Sequence, residues 1–123
     1  MDIGISQVSI YVEDQDAAVR FWTEKLGFTV TTDLPYGEDR WIELQAPGGG
    51  VALNLHKAAP EWQSLSTEKP NYVLFSADDI NKTYEELAAK GVEFPLKPVK
   101  EHWGWSAIFK DPEGHLFHLS QRQ

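Results

Sequence analysis

The sequence predicts one α+β domain built from two copies of a β-α-β-β-β unit, and three observations support this fold class. Several short segments alternate polar and apolar residues, which is the period of a half-buried strand. Two other segments repeat apolar residues at helical spacing, and a glycine follows each of them. The order of segments in the first half of the chain returns in the second half.

In the first half, Asp14 or Asp16 is the candidate N-cap of the helix, and Gly27 stands where the helix should end. Turns are predicted at residues 35–37 and 47–50, where proline and glycine cluster. The residues between these signals are alternating or β-branched, as strands require. The four predicted strands are residues 6–12, 28–32, 41–45 and 51–56.

The second half repeats this order. Asp78 or Asp79 is the candidate helix N-cap, Gly91 ends the helix, and residues 111–114 form a turn of Asp-Pro-Glu-Gly. The predicted strands are residues 71–77, 92–94, 105–110 and 115–120.

Matched positions set the boundaries of the repeat. The separation between Val8 and Val73 equals that between Pro47 and Pro112. After the turn at residues 47–50 the separation between matched positions is one residue shorter, as the match of Leu53 with Phe117 shows. We therefore expect a single domain over residues 1–123, with one module at about 5–56, a linker at about 57–69 and a second module at about 70–121.

Composition excludes several classes of function. The net charge of −8 argues against a nucleic-acid partner, which would need a basic surface. No run of about 18 apolar residues predicts a membrane span, and no basic and apolar leader opens the chain. With no cysteine there is no disulfide and no thiol nucleophile. We expect a cytoplasmic protein.

The strand faces that are not purely apolar predict a ligand cavity. Alternation places Gln7, Asn54, Tyr72 and His118 on the mixed faces of their strands. Trp41 shares this parity and, like Tyr72, is too apolar for a plain solvated surface. Ligand cavities combine an apolar lining with a few polar groups. Two halves related by a pseudo-two-fold axis would bring the four matched residues around one centre.

Several motifs of the sequence resemble the vicinal oxygen chelate superfamily, which includes glyoxalase I, bleomycin-resistance proteins and extradiol dioxygenases. The first motif is Gln7 to Asp14, followed by Phe21-Trp22 and Leu26-Gly27-Phe28. The others are Tyr84 to Leu87 with Lys90-Gly91-Val92, and residues 109–119, which contain the Asp-Pro-Glu-Gly turn. This resemblance covers nearly the whole chain.

The resemblance implies paired βαβββ modules that form a U-shaped mixed sheet around a cavity, commonly in a homodimer. In the metal-dependent members of the superfamily, His, Gln or Glu side chains hold a divalent ion. The corresponding positions here are Gln7, Asn54, Tyr72 and His118.

This set of side chains predicts no firm metal site. His118 is a strong ligand and Gln7 a tolerable one, but Asn54 and Tyr72 are poor ligands. His56 and Glu43 have the same strand parity, so Gln7, His56 and His118, with Glu43 nearby, form an alternative metal set. Glu43 beside His118 is also the candidate general base. Otherwise His118 is a hydrogen-bonding residue of the cavity.

The tryptophans predict a stacking surface for a flat ligand. Trp22 lies on the apolar stripe of the first helix and is expected in the core. Trp41 is expected at the cavity, and Trp103 and Trp105 flank a glycine at the entry to a strand. Trp62, in the linker, is expected to cover the cavity or a dimer partner.

Three functions fit this sequence. The first is a binding protein that sequesters an aromatic drug or toxin without turnover, as the bleomycin-resistance members do. Its ligand-binding residues would be Gln7, Trp41, Asn54, His56, Tyr72, Trp103, Trp105 and His118. The second is a metal-dependent lyase, isomerase or dioxygenase with an unconventional ligand set. The third is an interaction domain whose cavity is only a dimer interface.

Overall fold

A computed structural model describes residues 1–59 and 70–122, except for the side chain of Tyr72. The chain divides into two compact units, Met1–Ser64 and Leu65–Gln123. Most of the predicted linker, including Trp62, lies outside the described residues. Each unit follows the order β-α-β-β-β, so the predicted α+β fold class is confirmed.

The first unit contains one helical segment and four strands. Asp14 caps the helix, since its side chain accepts a hydrogen bond from the Ala17 amide at 3.0 Å. The helix ends at Gly27, whose φ of +76° is the left-handed conformation that glycine adopts readily. The elements are β1 Gln7–Val12, α1 Gln15–Arg20 with a π-helical continuation Phe21–Lys25, β2 Thr29–Tyr36, β3 Asp39–Gln45 and β4 Ala52–Lys57.

These four strands form one mixed sheet in the order β1-β4-β3-β2. β1 pairs with β4 in parallel, while β4–β3 and β3–β2 are antiparallel. One face of this sheet is apolar and is covered by α1. Trp22 lies in the π-helical continuation of α1 and is buried in the core, as predicted. The buried residues of this unit include Ile10, Val12, Ala18, Phe21, Trp22, Ile42, Leu44, Leu53 and Leu55.

The second unit repeats this plan. Its elements are β5 Pro70–Ser76, α2 Ile80–Ala89, β6 Glu93–Glu101, β7 Gly104–Lys110 and β8 Leu116–Arg122. They form a mixed sheet in the order β5-β8-β7-β6, with β5 parallel to β8. Asp79 caps α2 by accepting a hydrogen bond from the Lys82 amide at 3.2 Å. Phe75, Phe109 and Phe117 pack against one another under this helix, with ring centroids 5.6–5.8 Å apart.

Two strands are longer than the sequence predicted. β2 runs to Tyr36 through Pro35, where a turn was expected, and β6 runs to Glu101 through Pro95 and Pro98. Both strands lie at the edge of their sheet. Proline has no amide hydrogen, and an edge strand tolerates it because one of its sides has no neighbouring strand to bond. Among the described residues, no helix is long and apolar enough to cross a membrane.

Candidate functional site

The face of the first sheet that α1 does not cover is here called the helix-free face. Paired residues of neighbouring strands point to the same side of a sheet. Tyr11 pairs with His56, and Asn54 pairs with both Ser9 and Glu43. The helix-free face therefore carries Gln7, Ser9, Tyr11, Thr32, Leu34, Tyr36, Trp41, Glu43, Asn54 and His56.

Four aromatic rings meet on this face, and we call them the aromatic cluster: Tyr11, Tyr36, Trp41 and His56. The His56 ring centroid lies 5.4 Å from that of Tyr11, 6.0 Å from Trp41 and 6.1 Å from Tyr36. Tyr36 and Trp41 are 5.4 Å apart. All four contacts are edge-to-face, the favoured geometry for aromatic pairs. Tyr36 is 56% exposed, so part of the cluster faces solvent.

A polar row crosses the same face next to the aromatic cluster. The Glu43 carboxylate accepts a hydrogen bond of 2.6 Å from the Trp41 indole Nε1. Asn54, directly across from Glu43, is fully buried, and its Nδ2 donates to Gln7 Oε1 at 2.9 Å. The buried Asn54 Oδ1 has no hydrogen-bond partner within the described part of the chain. This row therefore presents the Asn54 Oδ1 and the second Glu43 oxygen as acceptors, beside the amide nitrogen of Gln7.

An arginine on the opposite side of β3 holds the strands around the aromatic cluster. Arg40 precedes Trp41 and donates to the Asp33 carboxylate from Nε at 3.1 Å and from Nη2 at 2.9 Å. It also forms an ion pair with Asp16 at the start of α1. The hydrogen bonds from Arg40 lower the pKa of the Asp33 carboxyl. Hydrogen bonding to Asp33, and then to Asp16, raises the pKa of Arg40, so the pair of Arg40 and Asp33 stays ionised at neutral pH.

In the second unit, His118 lies on the face of its sheet that α2 does not cover. It pairs with Leu74 on β5 and with Ile108 on β7. Its Nε2 shares a hydrogen bond of 2.7 Å with the hydroxyl of Ser106, which is buried. His118 is thus a polar residue already engaged by a neighbouring side chain. The side chain of Tyr72, the other predicted residue of this unit's mixed face, is not described.

The two tryptophans around Gly104 lie in different surroundings. Trp105 pairs with Gln121, on the face that carries Ala107 and Phe109, and therefore points away from the side of His118. The Lys100 ammonium lies 5.5 Å from its ring centroid. Trp103 lies in the turn between β6 and β7 and is 42% exposed.

The backbone geometry at Gly104 explains why a glycine lies between the two tryptophans. Its φ is +151°, and a Cβ at this residue would lie 2.1 Å from the Gln121 carbonyl oxygen. No side chain fits there, because the backbones of β7 and β8 approach too closely. The Trp-Gly-Trp pattern reflects this close approach in the sheet.

A shallow depression of about 510 Å³ lies at the ends of β5 and β8 in the second unit. It carries the opposed charges of Asp78 and Arg122 and no aromatic ring. Its lining is Leu74, Ser76, Ala77, Asp78, Ser120, Gln121 and Arg122. Its volume suits a small ligand, but the aromatic contacts and the unpartnered acceptor that favour binding lie in the first unit.

The side chains at the candidate metal positions do not fit a divalent cation. Gln7 and Asn54 are neutral amides that bond to each other, and His118 bonds to Ser106. His56, of the alternative set, is surrounded by three aromatic rings. Across residues 1–59 and 70–122, no three His, Asp or Glu side chains gather in a group that could hold a metal ion.

Sequence reasoning placed Trp41, Glu43 and His56 on one face, as the structure has them, but omitted two residues of the cluster. Tyr36 was assigned to a turn, although the alternation of Thr32, Leu34 and Tyr36 continues the strand. Tyr11 has the same strand parity as Gln7, but the sequence predicts no ligand-binding role for it. Strand parity extended to the end of β2 would have found the cluster.

Comparison with known proteins agrees with this fold. The family model of the Glyoxalase/Bleomycin resistance protein/Dioxygenase superfamily matches residues 4–119. YurT, an uncharacterized protein of Bacillus subtilis strain 168, is 40% identical over 121 residues, covering 93% of this chain and 95% of YurT. The crystal structure of UcmS2 is 34% identical and has a TM-score of 0.84, with 98% of each chain covered. TnmS3, an antibiotic binding protein from Streptomyces sp. CB03234, is 29% identical with a TM-score of 0.87, covering 100% of this chain and 99% of TnmS3.

Proposed function

The chain belongs to the Glyoxalase/Bleomycin resistance protein/Dioxygenase superfamily, and from this membership we propose that it binds a planar aromatic small molecule and holds it without turnover. The function of such a protein is sequestration, which would protect a cell against an antibiotic or another toxic aromatic compound. The similarity to TnmS3, an antibiotic binding protein, supports a small molecule as the ligand.

The aromatic cluster is the observation that carries the proposal. Its four rings stand on a sheet face that the unit's own helix leaves uncovered, and Tyr36 is largely exposed. Exposed aromatic faces bind flat conjugated compounds by stacking, and they attract cationic compounds through the ring quadrupole. The net charge of −8 adds a weak general attraction for a cationic ligand, which salt would screen.

The side chains of Glu43 and His118 favour binding over catalysis. Glu43, the candidate general base, accepts a hydrogen bond from the Trp41 indole, which fixes the position of the carboxylate on the helix-free face. His118, its predicted partner, is bonded to Ser106. Each group is therefore engaged by a neighbouring side chain, as a residue that orients or recognises a ligand would be.

Titration with the planar dye proflavine tests the proposal. We expect saturable quenching of tryptophan fluorescence by the dye, and chromatography after prolonged incubation should recover the dye unchanged. Trp41→Leu should weaken binding about tenfold or more, because a lost stacking partner costs about 1–3 kcal/mol. Trp103→Leu is the matched control and should leave the affinity unchanged, since Trp103 lies in the second unit outside the cluster.

Two results would contradict this function. Quenching that does not saturate would mean that the aromatic cluster offers no defined site. A chemically altered dye, recovered in proportion to the amount of protein and the time of incubation, would show turnover. If Trp103→Leu abolished binding and Trp41→Leu did not, the stacking surface would lie in the second unit instead.

A further inference from the structure

Stacking on the aromatic cluster does not account for the buried amide of Asn54, which lies on the same face of the sheet. It is fully buried on β4, and its amide nitrogen is used by the hydrogen bond to Gln7. Its Oδ1 is buried and accepts no hydrogen bond from any described residue. A buried acceptor without a donor costs about 1–3 kcal/mol, so this oxygen is stabilised by whatever donor approaches it.

The neighbours of Asn54 are acceptors as well. Glu43, directly across on β3, presents a carboxylate, and only its Oε2 is engaged by the Trp41 indole. Gln7 Oε1 already takes the Asn54 amide hydrogen. A ligand reaching this row therefore meets two acceptor oxygens, the Asn54 Oδ1 and the second Glu43 oxygen, which a donor group on the ligand satisfies.

The spacing to the aromatic cluster is fixed by the strands. Asn54 and His56 are separated by one residue on β4, and so are Glu43 and Trp41 on β3. Residues two apart on a strand lie about 6.6 Å apart on the same face. A ligand stacked on the cluster can therefore extend a substituent over the polar row at about that distance.

We propose that Asn54 and Glu43 form a polar subsite that selects aromatic ligands carrying a hydrogen-bond donor, such as an amino, amide N–H or hydroxyl group. This subsite rests on the proposed function, since the cluster holds the ring system and the polar row reads its substituent. The half-buried side chain of Gln7 borders Asn54 and accepts its amide hydrogen, so a donor on the ligand pairs with the Asn54 Oδ1 and leaves the amide–amide hydrogen bond in place.

Two acridine dyes test the subsite. Proflavine carries two primary amino groups, while acridine orange has the same ring system with both amines fully methylated. Both are cations at neutral pH, so the ratio of their affinities isolates the amino hydrogens. We expect proflavine to bind about tenfold more tightly to the unchanged protein, as one or two added hydrogen bonds predict.

Variants separate hydrogen bonding from the bulk of the methyl groups. Asn54→Leu should bring the affinity ratio close to one, because it removes the buried acceptor. Glu43→Gln should reduce the ratio, and its position at the surface makes it the variant to rely on if Asn54→Leu does not fold. Gln45→Leu, two residues from Glu43 on β3, removes a hydrogen bond of 3.0 Å from the side chain to the Gly50 carbonyl and should keep the full ratio.

The outcomes distinguish the two proposals. If both dyes bind with equal affinity, or acridine orange binds more tightly, the polar subsite is wrong and the stacking site stands. A proflavine preference that survives in both Asn54→Leu and Glu43→Gln also overturns the subsite, because steric exclusion would then explain it. If neither dye binds, both the subsite and the proposed function fail.

Discussion

Replacing Gln15 with leucine perturbs the backbone that presents the aromatic cluster. Gln15 is a buried residue at the start of α1, and its Nε2 donates to the carbonyl oxygens of Arg40 at 2.8 Å and Leu55 at 2.9 Å. Its Oε1 accepts from the Arg40 amide at 3.2 Å. Trp41 and His56 directly follow the two bonded residues, so one side chain spans the strands that carry two rings of the cluster.

These hydrogen bonds replace ladder pairing that β3 and β4 lack at this point. The register between the two strands pairs Glu43 with Asn54 and Leu44 with Leu53, and the segments at Arg40 and Leu55 lie beyond it. Gln15→Leu keeps a side chain of similar size but removes three hydrogen bonds, each worth about 1 kcal/mol. We therefore expect the free energy of unfolding to fall by about 3 kcal/mol.

Urea unfolding followed by far-UV circular dichroism measures this loss. Gln45→Leu is the control, because it removes one exposed hydrogen bond from the same sheet and should cost less than about 1 kcal/mol. Proflavine affinity should also drop in Gln15→Leu, since Trp41 and His56 lose their fixed separation. If Gln15→Leu is as stable as the control, the inference that Gln15 holds β3 against β4 is refuted.

Two further predictions concern a glycine and an ion pair. Gly104→Ala should lower the free energy of unfolding by about 3 kcal/mol or more, because its Cβ would overlap the Gln121 carbonyl at 2.1 Å. Gly48→Ala is the control, since Gly48 lies in open space, and it should change thermal unfolding little. Equal losses of stability in the two variants would contradict the close approach at Gly104. Arg40 lowers the pKa of Asp33, so this pair stabilises the fold above the ordinary carboxyl pKa of about 4, and the contribution disappears as pH falls through the lowered value. Arg40→Gln should raise the pKa of Asp33 in an NMR titration, and an unchanged value would refute the pairing.

The elements were predictable where the local signal and the final environment agree. Asp14 and Asp79 were two of four candidate caps, and both cap their helices. Gly27 and Gly91 end the helices at positive φ, as their positions indicated. Alternation along β1, β3 and β4 sorted the two faces of the first sheet correctly, because the helix-covered side of each strand is apolar.

Strand ends and hairpin register were not predictable in the same way. Proline at positions 35, 95 and 98 argued against strands, since a single sequence does not reveal which strand lies at an edge. The facing of Trp105 depends on the register of β7 against β8, which local alternation leaves open. In the structure it lies on the side of Phe109 rather than of His118.

The polar contacts of the candidate site depend on tertiary structure. Nothing in the sequence indicates that Asn54 bonds to Gln7, or that Ser106 engages His118, because these partners are 47 and 12 residues apart. No local pattern in the sequence assigns a role to Gln15, although it is buried and spans two strands. The homodimer and the shared cavity of the two modules stay predictions.

The edge strands β2 and β6 affect how concentrated a ligand-sequestering protein can become in the cell. Pro35 in β2 and Pro95 and Pro98 in β6 lack amide hydrogens, and the exposed Lys97 adds charge to the second edge. Such edges are poor templates for a strand from another molecule, so they oppose aggregation. A protein that neutralises its ligand by holding it, one molecule for each molecule bound, must accumulate to the concentration of that ligand. Edges that resist intermolecular strand pairing permit this accumulation.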